Sequence, residues 1–568
     1  MQAQKKLLLT VITKDSLADN TFKLPDYQKK FEIPADRNKE IQKLVFTLYN
    51  EAYLAASVDS TVQDSVMLKA YVTHGSKYEW AYLNKGNVDE GALSQVGYRD
   101  KIYQHVPFYY KDFLKFLDKI LSFYEDHGYP FAKIKLDSVK LAANQISASL
   151  NLQKLRMIKI DSVILKGNLK ISKEYIYGYL GIRPGDLYNE TKVRAISGRL
   201  KALPFMSESK QLQVIFVEDK AKIYLFLDKK SADQINGIIG ILPGTNPTTQ
   251  ASTLTVTGDI NLQLINTFHD AEEIGIHWQH TQALTQNLTM HFSYPYLFKT
   301  PIGIDEDFKL FKQDTTYLQL DNKIGLKYLL IGGDYFKVFY ESISSSLIAT
   351  SALQYQTSGL PDYADVSTHL YGVEYKTNRL DYIYNPRRGY TILLSVAAGT
   401  KDIRQNPALN PQIYDGLQLK SDEYRGNLKA SYYIPFFSRS AFMVGYNAGY
   451  IDAPSLLLDD MYRIGGFSLL RGFDEQSIYA NIYSIGTVEF HYLLEQNSFM
   501  YLFYDFGWYR GAISTQGTIE NNPYGFGVGM DFQTKAGIFS ISYALGADSP
   551  APINFKDGKI NFGIINSF

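Results

Sequence analysis

A single arginine lies in an apolar, glycine-rich stretch of the sequence. The stretch GGFSLLRGFDEQSIYA covers residues 465–480, and Arg471 stands in it between two leucines and a Gly-Phe pair. A guanidinium forms strong charge-assisted hydrogen bonds to carboxylates, and burying it without such a partner is costly. The chemistry expected of Arg471 is therefore electrostatic pairing, and its partners depend on the elements around it.

Side chains for covalent or metal chemistry are scattered or missing. The chain has 568 residues and no cysteine, which excludes disulfides, thiolate metal sites and cysteine nucleophiles. His277 and His280 lie three residues apart on a predicted strand, so they face opposite sides and cannot bind one metal. No Gly-x-Ser-x-Gly, His-Glu-x-x-His or P-loop motif occurs. We therefore expect no enzyme activity, no metal site and no cofactor.

The composition narrows the class of protein further. Lys plus Arg and Asp plus Glu both number 58, so nucleic acid is not an expected partner. Aromatic residues make up 14% of the chain, and no run of apolar residues is long enough to predict a transmembrane helix. The apolar run Leu7–Ile12 is too short for the core of a signal peptide. We interpret it as a strand of a mature protein whose export signal has been removed.

The N-terminal part combines helical and strand patterns in a repeated order. Apolar residues recur at helical spacing three times, and each helix is followed by an aromatic residue that leads into a strand. These aromatic residues are 76 positions apart: Tyr53, Tyr129 and Phe205. A fixed period of this length indicates tandem domains. We predict three α+β domains of order strand–helix–helix–strand–strand, at residues 1–77, 78–156 and 157–231.

From about Gln234 the pattern changes to alternation with a period of two. Leu502, Tyr504 and Phe506 share one face of a predicted strand, and small or polar residues take the other face. A transmembrane barrel turns its apolar face to lipid and keeps a polar lumen. Long strands, the aromatic content and the length of this region favour a barrel over a soluble β-sandwich. We predict an all-β transmembrane barrel of about 16 antiparallel strands, each about 9–11 residues long, at residues 232–568.

The stretch around Arg471 resembles the signature loop of the BamA/TamA superfamily of outer-membrane assembly factors and two-partner secretion pores. In that family an extracellular loop folds into the barrel lumen, and its Arg-Gly-Phe/Tyr tip is matched here by Arg471, Gly472 and Phe473. The family pairs the arginine with acidic residues on the inner wall of the next two strands. The resemblance gives this role to Glu489, in a Gly-x-x-Glu pattern, and to Asp505, in a Phe-x-Asp-x-Gly pattern.

The alternation agrees with these roles. Glu489 and Asp505 each stand between two apolar residues that face outward, so both carboxylates face the lumen. We therefore expect Arg471 to anchor a lumen-inserted loop near residues 455–480.

The resemblance extends over essentially the whole chain. The N-terminal repeats resemble POTRA domains, and three of them before a sixteen-stranded barrel resemble TamA more than BamA, which typically carries five. The last strand resembles the family's C-terminal β-signal at Asn561, Gly563 and Phe568, and departs from it at Asn566, where an apolar residue is expected. The resemblance implies the outer membrane of a Gram-negative bacterium, with the POTRA domains in the periplasm.

The function that the resemblance implies is the insertion of membrane proteins. The first and last strands, about Ile235–Ile241 and Ile560–Phe568, close the barrel at a lateral seam. The seam residues are Gly237, Ile239, Gly563 and Ile564. An open seam offers strand edges to a client strand. The expected partners are outer-membrane lipid, unfolded outer-membrane protein clients and a periplasmic or inner-membrane-anchored partner. A two-partner-type secretion pore or a lipid-transport-linked TamA-like channel stays open as the alternative.

Overall fold

Two compact units make up the computed structural model of the chain. The first unit comprises Met1–Val163, Pro184–Arg194 and Val214–Ile223, and the second comprises Ile164–Arg183, Ala195–Gln213 and Tyr224–Phe568. The described residues are 6–15, 22–245, 252–282, 285–348, 362–382, 385–415, 417–467, 469–495, 497–513, 517–534, 537–549, 553, 555 and 558–565.

The N-terminal elements form three small sheets with helices. Their bounds are β1 (Leu7–Thr13), β2 (Lys30–Phe31), α1 (Pro34–Asn50), β3 (Ser57–Gln63), β4 (Met67–Thr73), β5 (Glu79–Asn84), α2 (Glu90–Gln95), β6 (Val106–Pro107), α3 (Tyr110–Asp126), β7 (Lys133–Ala142), β8 (Gln145–Gln153), β9 (Lys159–Lys166), α4 (Lys173–Leu180), α5 (Glu190–Lys201), β10 (Met206–Val217) and β11 (Lys220–Lys229). The strand orders are β2-β1-β4-β3, β6-β5-β8-β7 and β10-β11-β9.

Helical spacing decides which side of each helix is buried. In α3 the buried residues are Phe113, Phe116, Ile120 and Tyr124, which recur every three or four positions and therefore share one face. They pack in one cluster with Trp80 of β5. The helix forms because this stripe is covered by the sheet.

The order of elements differs from the prediction in the first domain. The described part of residues 1–77 contains one helix, α1, whereas the regions predicted as the second and third domains contain two helices each. The proposed boundaries at 77/78, 156/157 and 231/232 stay a prediction. None of the helices in the described ranges is long and apolar enough to cross a membrane.

The second half of the chain is built from strands. Their bounds are β12 (Gln234–Thr245), β13 (Ser252–Ile265), β14 (Glu273–Gln282), β15 (Thr285–Tyr294), β16 (Ile302–Gln313), β17 (Tyr317–Leu329), β18 (Tyr335–Leu347), β19 (Asp365–Leu380), β20 (Gly389–Arg404), β21 (Lys420–Phe437), β22 (Ser440–Asp452), β23 (Tyr462–Ile464), β24 (Ile478–Ala480), β25 (Ile482–Glu495), β26 (Ser498–Ile513), β27 (Gly517–Thr534), β28 (Gly537–Ser549) and β29 (Lys559–Ile565).

Sixteen of these strands form one sheet in chain order, from β12 to β29, and only the β23-β24 hairpin stands apart from it. The predicted fold class, α+β repeats followed by an all-β barrel of 16 antiparallel strands, is confirmed. Most strands are longer than predicted and reach 18 residues in β21 and β27. A tilted strand needs about 9–11 residues to cross the hydrocarbon layer, so these strands extend past it.

The barrel wall alternates as the sequence pattern predicts. Leu502, Tyr504 and Phe506 of β26 are exposed on the outer face, at 57%, 46% and 47% of their full surface, while Asp505 between them is fully buried. The rim at which β12 begins is called the entry rim, and the opposite end is the far rim. We count β12 as the first strand of this sheet. The first, third, fifth and every further odd strand in that count then run from the entry rim to the far rim.

Helix α4 packs against turns of the entry rim. The Tyr175 and Tyr296 rings meet edge to face at 5.7 Å, and the Gly332 N–H donates to the Tyr179 carbonyl at 3.0 Å. A Cβ added at Gly178 would lie 2.2 Å from the Tyr296 ring. The glycine therefore allows the helix to approach the turn closely.

We expect Gly178→Ala to lower the free energy of unfolding by about 1–3 kcal/mol, because the added methyl group overlaps the buried Tyr296 ring. Gly198 in α5 is the matched control, since nothing lies within 4 Å of an added Cβ there. Gly198→Ala should raise stability by about 1 kcal/mol through helix propensity. Urea unfolding of the purified protein in detergent measures both. Equal responses of the two variants would contradict the close packing.

Candidate functional site: a loop anchored inside the barrel

The long connection between β22 and β25 carries the candidate site. It spans residues 453–481 and leaves the far rim, because β22 is the eleventh strand of the sheet. Its middle is a small hairpin in which Tyr462–Ile464 pairs with Ile478–Ala480. Leu470 near the tip is fully buried in an apolar cluster with Ile464 and Tyr509. Residue 468 lies outside the described residues. The lumen-inserted loop expected near residues 455–480 falls within this connection, and its role stays a prediction.

Arg471 is held by two carboxylates of the barrel wall. Its Nε and Nη2 donate to the two oxygens of Asp505 at 2.8 and 2.6 Å, and its Nη1 donates to Glu489 Oε1 at 2.5 Å. Its backbone N–H also donates to Asp505, at 3.1 Å. The arginine is only 8% exposed and Asp505 is fully buried. A planar guanidinium matches this bidentate geometry, which a lysine cannot reproduce.

Neighbouring side chains complete the anchor. Thr487, which lies opposite Asp505 in the β25-β26 ladder, donates its hydroxyl to Asp505 Oδ1 at 2.9 Å. His491 Nε2 lies 2.6 Å from the second oxygen of Glu489. The Arg471 guanidinium lies 3.7 Å from the centre of the Phe503 ring. Each carboxylate thus has a second polar partner, which reduces the cost of burying the charges.

Two glycines of the wall make room for the tip of the loop. Gly525 of β27 and Gly546 of β28 lie opposite each other in their ladder. A Cβ at Gly525 would lie 2.0 Å from the Arg471 carbonyl oxygen, and one at Gly546 would lie 2.9 Å from the Phe473 ring. Gly472 has φ +94° and lies against the backbone of β28. The tripeptide Arg471-Gly472-Phe473 therefore packs on bare backbone, which explains the glycine in its centre.

A second set of contacts fixes the start of the loop and was missed in the sequence. The buried Lys401 of β20 donates to the Ser455 carbonyl at 2.8 Å and also to Asp460. The Arg463 guanidinium lies 4.0 Å from the centre of the Phe311 ring and donates to the Tyr317 hydroxyl. A lysine at an inward position of an alternating strand was the available signal for Lys401.

The proposed seam residues lie on the two strands that end the sheet. Gly237 and Ile239 belong to β12, and Gly563 and Ile564 belong to β29. In the described residues these strands carry ladders to β13 and β28 alone. Cα atoms of the two strands approach within 8 Å. The seam role stays a prediction.

Of the proposed β-signal residues, Asn561 lies in β29 opposite Ser542, and Phe568 falls outside the described residues. His277 shares Asp259 with Gln279, so it faces the side of β14 opposite to His280. Within the described ranges no group of three or more His, Asp or Glu residues could hold a metal ion.

Replacing Arg471 with alanine should release the loop, because Asp505 and Glu489 then remain buried without their cation. Loss of one partner of a buried ion pair costs about 3–5 kcal/mol. We expect new protease cleavage sites within residues 453–481 while the barrel stays folded. Arg471→Lys should give partial release, since it keeps the charge and loses the bidentate contact. Limited proteolysis of the purified protein followed by mass spectrometry measures this.

Lys559→Ala is the matched control for Arg471→Ala. It removes an ion pair from Lys559 to Asp474 of the same loop, with 2.6 Å between nitrogen and oxygen. The Asp474 side chain is 74% exposed, so this pair contributes at most about 1 kcal/mol. An intact loop in Arg471→Ala, or equal cleavage in both variants, would contradict the anchor.

Comparison with known proteins gives the family of the chain. The Omp85 superfamily domain matches residues 245–568. A POTRA domain, described as a surface antigen variable number repeat, matches residues 158–227. The outer membrane protein assembly factor BamA of Nitratidesulfovibrio vulgaris is 23% identical over 199 residues, which are 34% of this chain. The match spans a quarter of that relative's own length.

Solved structures agree on the fold. CdiB from Acinetobacter baumannii has a TM-score of 0.52 at 14% identity and covers 94% of this chain and 98% of its own. CdiB from Escherichia coli has a TM-score of 0.52 at 12% identity and covers 94% of this chain and 99% of its own. The narrower resemblance to TamA stays a prediction. With a family match over more than half of its length, the chain belongs to the Omp85 superfamily and is an outer-membrane β-barrel with POTRA domains in the periplasm.

Proposed function

We propose that this protein inserts client β-barrel proteins into the outer membrane through a seam between β12 and β29. One observation carries the proposal: the hydrogen-bonded order of the sheet starts at β12 and ends at β29. An unpaired strand edge in lipid leaves backbone groups without partners, which is unfavourable. A client strand that adds to this edge satisfies them, so insertion by strand addition is driven by the backbone itself.

The anchored loop has a defined part in this proposal. It contacts four consecutive strands, through Glu489 of β25, Asp505 of β26, Gly525 of β27 and Gly546 of β28. These strands lead directly to β29. The loop holds this side of the wall rigid, so opening is confined to the seam. Arg471 acts as a positioning residue that keeps the loop in place.

The N-terminal sheets offer further edges for clients or for a periplasmic partner. In the strand orders, β3 and β7 each end a sheet, and every residue of β3 is exposed. An extended peptide binds such an edge through main-chain hydrogen bonds. We propose that unfolded clients, or an inner-membrane-anchored partner, bind there before they reach the barrel.

A secretion pore is the second candidate, and a feature of the lumen favours it. A cavity of about 310 Å³ lies beside the loop and is lined by charged wall residues, among them Lys309, Asp321 and Arg425. A charged space of this kind suits the passage of ions or an extended polypeptide once the loop moves. In this function the substrate passes through the lumen, and the seam stays closed.

A cross-link at the seam separates the two candidates. Cysteines at Gly237 and Ile564 join β12 to β29 when oxidised, in a chain that has no cysteine of its own. We expect the oxidised protein in liposomes to fold a test outer-membrane barrel at least about tenfold more slowly, because client strands cannot reach the edge. Reductant should restore the rate.

The control joins two strands that are already paired. Met530 and Ile541 lie opposite each other in the β27-β28 ladder, so cysteines there restrain the wall and leave the seam free. This variant should fold clients at the same rate before and after oxidation. A seam lock that forms without slowing insertion rejects the seam. Ion conductance that persists in the locked protein then favours the pore.

A further inference from the structure

A second cavity lies at the periplasmic rim, away from the loop. Two turns and a strand end line an open cavity of about 330 Å³ there: the turn between β19 and β20, the turn between β21 and β22, and the end of β25. The Tyr382 hydroxyl donates to Asn497 Oδ1 at 2.9 Å, which links the β19-β20 turn to the connection that follows β25. The rim is periplasmic because the POTRA domains precede β12.

The charges at this cavity are not used in ion pairs within the described part of the chain. Arg387 and Arg439 line the cavity, together with Ser438 and Glu495. The Arg387 guanidinium makes one long contact, 3.5 Å from Nη2 to the Phe437 carbonyl, and its buried Nε has no acceptor among the described residues. Buried guanidinium nitrogens are normally bonded, so an acceptor with several oxygens fits here.

Asp381, a carboxylate of the same turn, binds the backbone of Arg387 and Arg388 and, within the described ranges, not their side chains. Asp381 Oδ1 accepts from the backbone N–H groups of Arg387 and Arg388, at 3.0 and 3.1 Å. It fixes the shape of the turn, and among the described residues it forms no ion pair with the Arg387 guanidinium. Glu495 is exposed at the cavity, and no cation pairs with it among the described residues.

An apolar surface continues from this cavity toward the membrane. Phe437 and Phe436, at the end of β21, are 69% and 55% exposed. Their rings lie 4.4 Å apart, Phe436 lies 5.2 Å from Phe442, and Phe442 lies 5.2 Å from Phe490. The four rings form a band along the lipid-facing wall. Aromatic belts of this kind lie at the level of lipid headgroups.

We propose that this cavity binds the headgroup of a phosphatidylethanolamine molecule from the periplasmic leaflet. The phosphate accepts hydrogen bonds from Arg387, Arg439 and the Ser438 hydroxyl, and the ammonium group donates to Glu495. The acyl chains lie along the band of phenylalanines. A site with two cations and one carboxylate that has no ion pair among the described residues matches a zwitterionic headgroup. Inorganic phosphate has neither an ammonium group for Glu495 nor acyl chains for the phenylalanines.

Native mass spectrometry of the detergent-purified protein tests this site. Wild-type protein should retain phosphatidylethanolamine in preference to phosphatidylcholine, whose methylated ammonium cannot donate, and to phosphatidylglycerol, which has no cation. The double variant R387A/R439A should lower bound phosphatidylethanolamine by about tenfold. Glu495→Gln should remove the preference over phosphatidylcholine and retain the lipid. Inorganic phosphate at millimolar concentration should not displace it.

The controls separate binding from folding. Arg404→Ala removes an exposed arginine at the far-rim end of the same strand β20 and should retain the lipid as the wild type does. Heat-modifiable gel mobility shows whether each variant is folded. R387K/R439K replaces the double alanine variant if that one does not fold, and it should bind less than the wild type. Equal retention by the folded arginine variant, full displacement by phosphate, or equal binding of phosphatidylglycerol would overturn the proposal.

Discussion

The structure depends on one constraint: within lipid, every backbone N–H and C=O must find a partner inside the protein. Sixteen antiparallel strands in chain order meet this constraint at every ladder from β12 to β29. The side chains then follow from the pleat, with apolar groups outside and charged or small ones inside. Among the described strands of this sheet, β12 and β29 at its two ends each have one paired neighbour, and the proposed function uses those ends.

A closed polar lumen creates a second requirement, since charges there are partly removed from water. Arg471 meets it with two carboxylates on adjacent strands, and each carboxylate is shared with a further partner, Thr487 or His491. Pairs of this kind contribute little net stability over an apolar equivalent, but a single missing partner is expensive. The arrangement therefore specifies one position of the loop more than it stabilises the barrel as a whole.

The sequence predicted the charged part of this site better than its shape. The resemblance to the family's motifs pointed to Arg471, Glu489 and Asp505, and the alternation of the strands independently turned both carboxylates inward. The packing of Gly525 and Gly546 beneath the tip was not predictable, since both looked like ordinary small residues of an inner face. Lys401 was missed for a different reason: its inward position was a signal, but its partner Asp460 lies in an irregular segment without periodicity.

The expected place of the loop came from the resemblance to the family's signature motif. Residue patterns and the length of the second half were sufficient for the two classes of fold, the strand count of the barrel, and the inward and outward faces. These follow from periods of 3.6 and 2 and from local composition, which are properties of neighbouring residues. The tertiary structure alone decided which groups meet across the lumen, how closely Gly178 approaches Tyr296, and which turns line the periplasmic cavity. These contacts join residues far apart in the chain, and their distances depend on the register and curvature of the closed sheet, which no local pattern records.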